Sequence, residues 1–452
     1  MTTLLPLVSH LSSDSIIAWR KHGNSAVTLR QFLADVDHLV SLLPAGNHML
    51  NMCSDRYHFS VGLAAAIVSN KISLLPSTHT PEVIRQIKTF ALDVFCLTDS
   101  DHCTVALPQL AYPVYPAVNE VNSLPIPQIN SQQAIAIVFT SGSTGQPKPH
   151  FKTWEALVSS VRAEALRIGL EHHSETTLIA TVPPQHMYGL ESSVLIAWFT
   201  GNALSDLQPF YPADICQSLT SVPSPRVLVS SPVHLRALLD SDLSIAQVAQ
   251  VISATAPLNI ELAQEIEARC QSPLFEIYGS TETGLIATRR PTQTDQWQLL
   301  PEISLIAKEG AVYACGGHIE TLTIMNDVIE LITPTHFLLH GRIDDMINIA
   351  GRRHSLTSLN HILNNIPGVV DGAFFMPDET RDDSLITRLA ACVVAPELTP
   401  AQLLSLLRES IAPAFLPRPL VFVDTLPRNE TGKLSRRSLQ ALFQSPKLGK
   451  SA

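Results

Sequence analysis

The stretch IVFTSGSTGQPKPHFK, residues 137–152, joins an apolar run to a loop of hydroxyls and glycines. The run AIAIVF (134–139) is short, apolar and partly β-branched, which predicts a buried strand. Glycines in the loop allow the backbone to approach a ligand closely, and its hydroxyls and Lys148 add donors and a positive charge. The GxxxxGK[ST] order of a Walker loop is absent. The stretch therefore predicts a phosphate site at the end of a strand, and a flexible Ser/Gly linker is the alternative.

Strand and helix patterns alternate further along the chain. RVLVS (226–230) is apolar and β-branched, and Ser231 and Pro232 then stand where a helix cap and a first helical residue are expected. QVISATAPL (250–258) precedes the partly amphipathic NIELAQEIEARC, and PLFEIYGSTETG (273–284) begins as another strand. This alternation predicts an α/β domain with a largely parallel sheet.

The pattern changes from about residue 311. AVYACGG, ETLTIM, VIELITP and HFLLHGR are short strand-like runs, which predict a small antiparallel sheet. After GRIDDMINIAGRR (341–353) the order is helix, strand, strand, helix, strand. We predict a large N-terminal domain of layered α/β sheets with a small antiparallel β part, residues 1–343, followed by a small mobile α+β domain, residues 344–452.

Composition limits the functional classes. A chain of 452 residues is too long for one compact core, and 45% hydrophobic residues supply ample material for buried sheets. The formal net charge of −10 argues against nonspecific binding to nucleic acid or to an anionic membrane. Seven cysteines without CxxC spacing, no basic start followed by an apolar segment, and no long apolar run predict a cytoplasmic protein with reduced thiols and no stable membrane insertion.

Two further stretches, taken in order with the first, carry a family resemblance. TSGSTGQPK (140–148), IYGSTETG (277–284) and LPRNETGKLSRRSL (426–439) resemble the signatures of adenylate-forming enzymes: acyl- and aryl-CoA ligases, luciferases and adenylation domains of peptide synthetases. The resemblance implies that the first loop binds ATP phosphates. Its residues are Thr140, Ser141, Gly142, Ser143, Thr144, Gly145 and Lys148.

The second signature implies the remaining nucleotide contacts. Tyr278 would stack near adenine beside Gly279, Thr281 would contact the α-phosphate, and Glu282 would hold Mg²⁺. The chemistry agrees, because a hard cation that bridges triphosphate oxygens and keeps several waters needs only one carboxylate. A simple helix cap is the alternative for Thr281 and Glu282.

Two segments imply the acid site. In PPQHMYGLE (183–191), which is similar to ligases of hydroxycinnamate-type acids, His186 would lie between nucleotide and acyl pocket with a catalytic role, and Tyr188 and Gly189 would line the pocket. A core histidine is the alternative for His186. SATAPL (253–258) replaces the family's glycine-rich loop beside adenine. Ala254 would line the acid pocket, and Thr255 and Ala256 would lie by the nucleotide.

The end of the chain supplies the mobile parts that the resemblance implies. Asp327 and Arg342 have the family's fifteen-residue separation for gripping the ribose, although Asn326-Asp327 also suits a hairpin turn. Asp344 would be the hinge and Gly351 part of a loop that forms a thiol tunnel. Lys433 would reach the active site for adenylation.

Pro149-His150 replaces the family's Gly-Val after the loop lysine. We expect the replacement to stiffen the exit of the loop and to bring an imidazole near the phosphates.

The implied reaction activates a carboxylic acid with ATP and Mg²⁺ to an acyl-adenylate, then transfers it to a phosphopantetheine thiol of CoA or of an acyl carrier protein in trans. An aromatic acid is expected, since SGSTGQPKPHFKTW looks like the stand-alone ligases of aryl polyene pigment clusters. A medium-chain fatty acyl-CoA ligase and a catalytically silent regulatory or scaffold relative are the alternatives.

Overall fold

The structure, a computed structural model, describes residues 3–20, 25–76, 78–113, 124–141, 147–172, 175–342, 346–349, 352–377, 389–428 and 434–443. The chain divides into two compact units, residues 1–308 with 313–323, and residues 309–312 with 324–452. The predicted boundary between residues 343 and 344 falls in a segment outside the described residues and stays a prediction.

Short strands make up much of both units. In chain order they are β1 (Leu4–Pro6), β2 (Ile16–Arg20), β3 (Ser25–Thr28), β4 (His48–Asn51), β5 (Ile72–Leu75), β6 (Phe95–Thr98), β7 (Gln109–Ala111), β8 (Gln128–Asn130), β9 (Ala134–Ser141), β10 (Pro147–Thr153), β11 (Thr177–Ala180), β12 (Ala203–Ser205), β13 (Arg226–Ser230), β14 (Gln250–Ser253), β15 (Leu274–Ser280), β16 (Gly284–Arg289), β17 (Trp297–Leu299), β18 (Ile303–Lys308), β19 (Ala311–Gly316), β20 (Ile319–Ile324), β21 (Asp327–Thr333), β22 (His336–Arg342), β23 (Met346–Ile349), β24 (Arg352–Ser355), β25 (Asp371–Phe375), β26 (Ala390–Val394) and β27 (Leu420–Phe422).

Helices alternate with these strands. They are α1 (Leu29–Leu42), α2 (Arg56–Val68), α3 (Pro81–Phe90), α4 (Trp154–Ile168), α5 (Met187–Gly189), α6 (Ile196–Thr200), α7 (Pro212–Ser221), α8 (Pro232–Leu239), α9 (Ile260–Cys270), α10 (Leu356–Asn364), α11 (Pro400–Ser410) and α12 (Arg436–Phe443). A π-helical segment, Leu190–Leu195, joins α5 to α6.

Two sheets form the frame of the first unit. One has the order β10-β9-β5-β4-β6-β7, in which only the β9–β10 pair is antiparallel. The other runs β17-β16-β15-β14-β13-β11-β12-β2-β3 and is parallel from β15 to β2. Strands such as β11 and β14 are buried along their whole length, as expected for parallel strands covered on both faces. The predicted α/β fold with a largely parallel sheet is confirmed.

Local sequence explains where the helices begin. Thr153 starts α4, and its hydroxyl accepts a hydrogen bond from the amide of Ala156. Ser231 and Pro232 occupy the predicted cap and first position of α8. The Ser231 hydroxyl lies 2.8 Å from His234 Nδ1 and makes no cap hydrogen bond, so that part of the expectation was wrong.

Apolar faces of the helices cover the sheets. On the larger sheet, Leu228, Val251 and Leu274 pack against Leu235 and Ile266, which come from α8 and α9. The helix α2 is buried over almost all its length because it carries few charged residues. None of the described helices is long and apolar enough to cross a membrane. All seven cysteines are free thiols, as predicted.

Charged residues hold the start of α2 in place. Arg20 on β2 contacts Asp55 Oδ2 at 3.0 Å, and His58 Nδ1 lies 3.1 Å from Asp99 Oδ2. Although burial opposes ionisation of Asp99, hydrogen bonds from His58 and from two backbone amides bring the pKa of its carboxyl to about 2. The first turn of α2 is therefore anchored by residues from both sheets.

The second unit contains the small α+β fold that the sequence predicted. The helix α10 is followed by β25, β26, α11 and β27, and β26 lies between an antiparallel β25 and a parallel β27. Leu359, Leu363, Leu403 and Leu407 from the two helices pack into one core. The predicted short strands from residue 311 also form, but not as the single sheet that was predicted: β19 and β20 join β18 in a three-stranded sheet, and β21–β22 form an antiparallel hairpin elsewhere.

Candidate active site

Predicted site residues follow the carboxyl ends of neighbouring parallel strands. His186 comes after β11, Ala254 directly after β14, and Thr281 directly after β15. Because β11, β13, β14 and β15 are parallel neighbours, these segments leave the same edge of the sheet, where α/β proteins bind ligands. The structure therefore brings together segments that lie nearly a hundred residues apart in the chain.

The segment that carries His186 is tied to this edge. His186 is the half-buried residue that begins α5, and the buried Tyr188 hydroxyl donates to the carbonyls of Ser230 and Ile252, both at 3.0 Å. A Cβ on Gly189 would collide with the Pro183 carbonyl, so close packing of α5 requires this glycine. The pocket roles of Tyr188 and Gly189 stay predictions, and each residue also has a packing role.

Arg56 is a supporting residue that the sequence analysis missed. Its fully buried guanidinium donates to Ser193 Oγ at 2.7 Å and to the carbonyls of Ala180 and Val182 at 3.0 and 2.8 Å. Burial lowers the pKa of Arg56 to about 10, and Asp55 acts in the opposite direction. An arginine on α2 thus holds the backbone that leads into His186.

The loop after β14 keeps a glycine-like backbone. Thr255 has φ +83°, a region that β-branched residues rarely adopt, at the position where the resemblance expects glycine. Behind the loop, the Glu276 carboxylate accepts a hydrogen bond from the amide of Leu258 at 3.0 Å and pairs with Arg289 at 2.7 Å. The Glu276–Arg289 ion pair therefore supports the conformation of the loop, and no sequence motif predicted this pair.

Tyr278 is supported from the side by an aromatic residue. Its ring lies 5.4 Å from the ring of Trp297, and Arg289 lies over the same indole at 4.6 Å. A Cβ on Gly279 would collide with the Gly284 carbonyl, so β15 and β16 approach closely only with glycine there. Adenine stacking on Tyr278 stays a prediction. The buried Trp297 side chain packs against the Tyr278 ring and limits its orientations.

A cavity of about 260 Å³ lies beside Glu282 and β10. Thr140 Oγ1 and His150 Nε2 are 3.0 Å apart, and His150 Nε2 lies 3.9 Å from Glu282 Oε1. The Lys152 ammonium donates to the Glu282 carbonyl at 3.4 Å. His150, Lys152 and Glu282 all line the cavity. The replacement of Gly-Val by Pro149-His150 thus places an imidazole beside two predicted nucleotide-site residues.

The strand β10 continues the loop that opened the sequence analysis. Thr140 and Lys148 are partners across the β9–β10 pair, and Lys148 is exposed. Gly142, Ser143, Thr144 and Gly145 lie outside the described residues, and of Ser141 only the backbone is described. Their phosphate contacts remain predictions.

Two buried carboxyl groups interact at the cavity: Glu191, which lines it, and the neighbouring Glu164. Burial raises the pKa of Glu191 to about 7, against the hydrogen bond that Ser160 donates at 2.7 Å and the charge of Lys152. Burial raises the pKa of Glu164 to about 8, and the nearby Ser192 hydroxyl only partly opposes this. The neighbouring His318 has its pKa lowered to about 4 by burial and by Lys152. At neutral pH, Glu164 is therefore mostly protonated and His318 neutral.

We expect Glu164→Gln to be more stable than the wild type at alkaline pH. Between pH 4.5 and 8 the folded chain keeps a proton on Glu164 that the unfolded chain releases, so the free energy of unfolding falls as pH rises, by about 1.4 kcal/mol per unit at most. Glutamine has no such dependence. Urea unfolding midpoints at pH 5, 6, 7 and 8 should show the variant gaining on the order of 2 kcal/mol relative to wild type across this range.

Glu155→Gln, at the exposed start of the same helix, is the matched control and should leave the pH dependence as in wild type. Parallel stability curves for Glu164→Gln and wild type would show that Glu164 is ionised in the folded chain.

In the second unit, Asp327 and Arg342 are direct partners across the β21–β22 hairpin. Asp327 begins β21, and Pro334-Thr335 separates the two strands, so the alternative that Asn326-Asp327 forms the hairpin turn was wrong. The ribose role of Asp327 and the place of Arg342 in the nucleotide site stay predictions. Asp344, Gly351 and Lys433 lie outside the described residues.

Two family models match this sequence. The model of the AMP-binding enzyme family matches residues 47–313, and the model of the AMP-binding enzyme C-terminal domain matches residues 359–433. A 4-coumarate–CoA ligase of Rhodobacter capsulatus is 29% identical over 53% of this chain and 60% of its own length. A 4-chlorobenzoate–CoA ligase of an Arthrobacter species is 26% identical over 67% of this chain and 65% of its own length. The chain thus spans less than two thirds of the length of these two relatives.

Solved structures show the same fold. O-succinylbenzoate coenzyme A synthetase from Bacillus subtilis, in complex with AMP, has a TM-score of 0.80 at 17% identity and covers 99% of this chain and 100% of its own. ATP-bound MatB from Rhodopseudomonas palustris has a TM-score of 0.80 at 18% identity, with 96% of each chain covered. At such identities the likeness concerns the fold alone.

Proposed function

Because this chain belongs to the AMP-binding enzyme family, we propose that it activates a carboxylic acid with ATP and transfers the acyl group to a thiol. The observation that supports this best is the arrangement around Glu282. The partly exposed Glu282 carboxylate lines a cavity together with His150, and His150 also contacts Thr140 on the strand that leads into the predicted phosphate loop.

In the first half-reaction, a carboxylate oxygen of the acid attacks the α-phosphorus of ATP. A new P–O bond forms, the bond to the β-phosphate oxygen breaks, and pyrophosphate leaves with that electron pair. No protein nucleophile is needed, so catalysis rests on positioning and charge stabilisation. Thr281 and the 140–148 loop would hold the phosphates, and Lys433 would stabilise charge on the attacking side.

The residues around Glu282 fit a magnesium ion. The Glu282 side chain is 32% exposed and lines the cavity, and the described residues contain no group of three side-chain ligands that would hold a metal without the nucleotide. Mg²⁺ commonly uses one or two carboxylates together with substrate phosphates. Bound there with ATP, the ion would neutralise charge on the leaving pyrophosphate.

In the second half-reaction, a thiol sulfur attacks the acyl carbonyl, its proton is lost, and AMP leaves. We propose a phosphopantetheine thiol, on CoA or on a carrier protein in trans. Both sources share this chemistry, and CoA ligases are among the relatives. Motion at Asp344 would withdraw Lys433 and admit the thiol through the loop containing Gly351.

An aromatic acid is the proposed substrate class. The relatives include ligases named for 4-coumarate and 4-chlorobenzoate, and a structural neighbour at a TM-score of 0.77 is an anthranilate CoA ligase. The relatives also include acyl-coenzyme A synthetase ACSM2 of Rattus norvegicus, 27% identical, whose name specifies no aromatic acid. A medium-chain fatty acid is the second candidate substrate.

We expect ATP-dependent pyrophosphate release with benzoic or cinnamic acids to exceed release with linear fatty acids. A panel of these acids, with pyrophosphate measured for each, tests both the reaction and the acid class. CoA and a phosphopantetheinylated carrier protein are then compared as acceptors of the best acid. Preference for fatty acids would favour the medium-chain ligase, and ATP binding without release from any acid would favour the silent relative.

A further inference from the structure

Two side chains of β10 contact opposite ends of Glu282. His150 and Lys152 are two residues apart on the strand, so both face the same side of the sheet. His150 Nε2 lies 3.9 Å from the Glu282 carboxylate, whereas the Lys152 ammonium donates to the Glu282 carbonyl at 3.4 Å. One residue therefore lies beside the Glu282 carboxylate, and the other donates a hydrogen bond to the Glu282 backbone.

His150 also connects Glu282 to the phosphate loop. Its Nε2 is within hydrogen-bond distance of Thr140 Oγ1, and Thr140 is near the end of β9, directly before the loop. The imidazole thus lies between the strand that leads into the loop and the carboxylate across the cavity. A small apolar side chain at residue 150 would lack both contacts.

Burying the Lys152 ammonium costs more free energy than a residue with only a packing role would require. The residue is 8% exposed, and burial lowers the pKa of its ammonium against the charges of Glu191, Glu320 and Glu282. Taking an ammonium out of water is expensive unless carboxylates and hydrogen bonds compensate, and an apolar residue would fill the space at lower cost. The carboxyl groups of Glu191, Glu320 and Glu282 offset part of this cost, and the Lys152 ammonium donates a hydrogen bond to the Glu282 backbone.

We propose that His150 and Lys152 are positioning residues that hold the Glu282 carboxylate where it meets magnesium-bound nucleotide. The inference rests on the proposed function and extends it to two residues outside the family signatures. Its consequence is specific: losing either side chain shifts the Mg²⁺ dependence of ATP binding to higher Mg²⁺ concentrations, while binding of ATP without Mg²⁺ changes little. A purely structural pair would alter stability and leave that dependence alone.

The test measures ATP binding to the full chain by calorimetry across a series of Mg²⁺ concentrations, without any acid. We expect Lys152→Met and His150→Ala each to raise the Mg²⁺ concentration for half-maximal effect by about tenfold, the usual cost of losing a residue that orients a metal ligand. Lys152→Arg and His150→Gln, which keep a donor, should recover most of the loss. Glu282→Gln sets the maximum effect.

Lys71→Met is the matched control for a buried lysine. Lys71 is also 8% exposed and donates to a backbone carbonyl, that of Gly46 at 2.6 Å, but does not line the cavity. Its loss should lower the melting temperature without shifting the Mg²⁺ dependence. An equal shift in Lys71→Met, or none in folded Lys152→Met and His150→Ala, would overturn the proposal.

Three further cases are decided by the same measurements. If Lys152→Met does not fold, His150→Ala compared with His150→Gln decides: a shift that glutamine repairs supports positioning, and no shift overturns it. Wild-type protein that binds ATP and releases pyrophosphate, with Mg²⁺ dependence unaltered in Glu282→Gln, would refute positioning and leave the adenylation reaction standing. Wild-type protein with neither property would refute the proposed function itself.

Discussion

Replacing Lys433 with alanine is expected to lower ATP-dependent pyrophosphate release by about 10²–10³-fold, the usual effect of removing one donor that stabilises transition-state charge. The residue follows LPRNETG in the C-terminal signature, and the matched C-terminal family domain ends at this residue. Its role is expected only while the P–O bond forms, so ATP binding should stay within about threefold of wild type. Pyrophosphate release with the best acid, together with calorimetric ATP binding, provides the measurement.

Lys88→Ala, on the exposed last turn of α3, is the matched control and should keep wild-type release. A Lys433→Ala variant that keeps more than about half of the wild-type rate would show that this lysine does not carry the adenylation step. An equal loss of ATP affinity and of pyrophosphate release would instead show that Lys433 contributes to nucleotide binding.

Arg56→Met is expected to cost about 3 kcal/mol or more of the free energy of unfolding. Methionine fills much of the same space but leaves Ser193 Oγ and the carbonyls of Ala180 and Val182 without their buried donor. Each buried polar group left without a partner costs about 1–3 kcal/mol. Removing the desolvated charge recovers part of this loss. Urea unfolding, followed by fluorescence, measures the change.

Arg85→Met is the control for Arg56→Met, because Arg85 lies exposed on α3 and pairs there with Glu82. Exposed pairs contribute about 1 kcal/mol or less, so its midpoint should hardly move. A change below 1 kcal/mol for Arg56→Met would mean that water or a rearranged backbone satisfies the three acceptors. We also expect Arg56→Met to weaken acid-dependent turnover, since Val182 precedes the segment containing His186.

Local patterns were sufficient for the fold class. Apolar runs such as AIAIVF and RVLVS become β9 and β13, and the strand–helix alternation becomes the parallel part of the larger sheet. The sequence pattern could not distinguish a hairpin turn at Asn326-Asp327 from the start of a strand there. A polar pair between two apolar runs is compatible with either structure. The pairing of Asp327 with Arg342 decided that point.

The residues that support the site were not evident from the sequence. Arg56, Glu276 and Trp297 act through partners far away in the chain, and an isolated charged or aromatic residue has no local pattern to mark it. The only local signal was Pro149-His150 in place of Gly-Val, which predicted an imidazole near the phosphates. It did not predict that His150 would lie against Thr140 and Glu282.

The sequence by itself determined the family, the alternating α/β order and the positions of its signature residues. These features depend only on residue types and their spacing along the chain. The tertiary structure alone decided which carboxyl groups are buried and which cation faces Glu282. Burial and charge pairing depend on distances in space between β10, α4 and the β15–β16 turn, and these set the raised pKa values of Glu164 and Glu191. Desolvation is a property of the packed site, so no single segment encodes it.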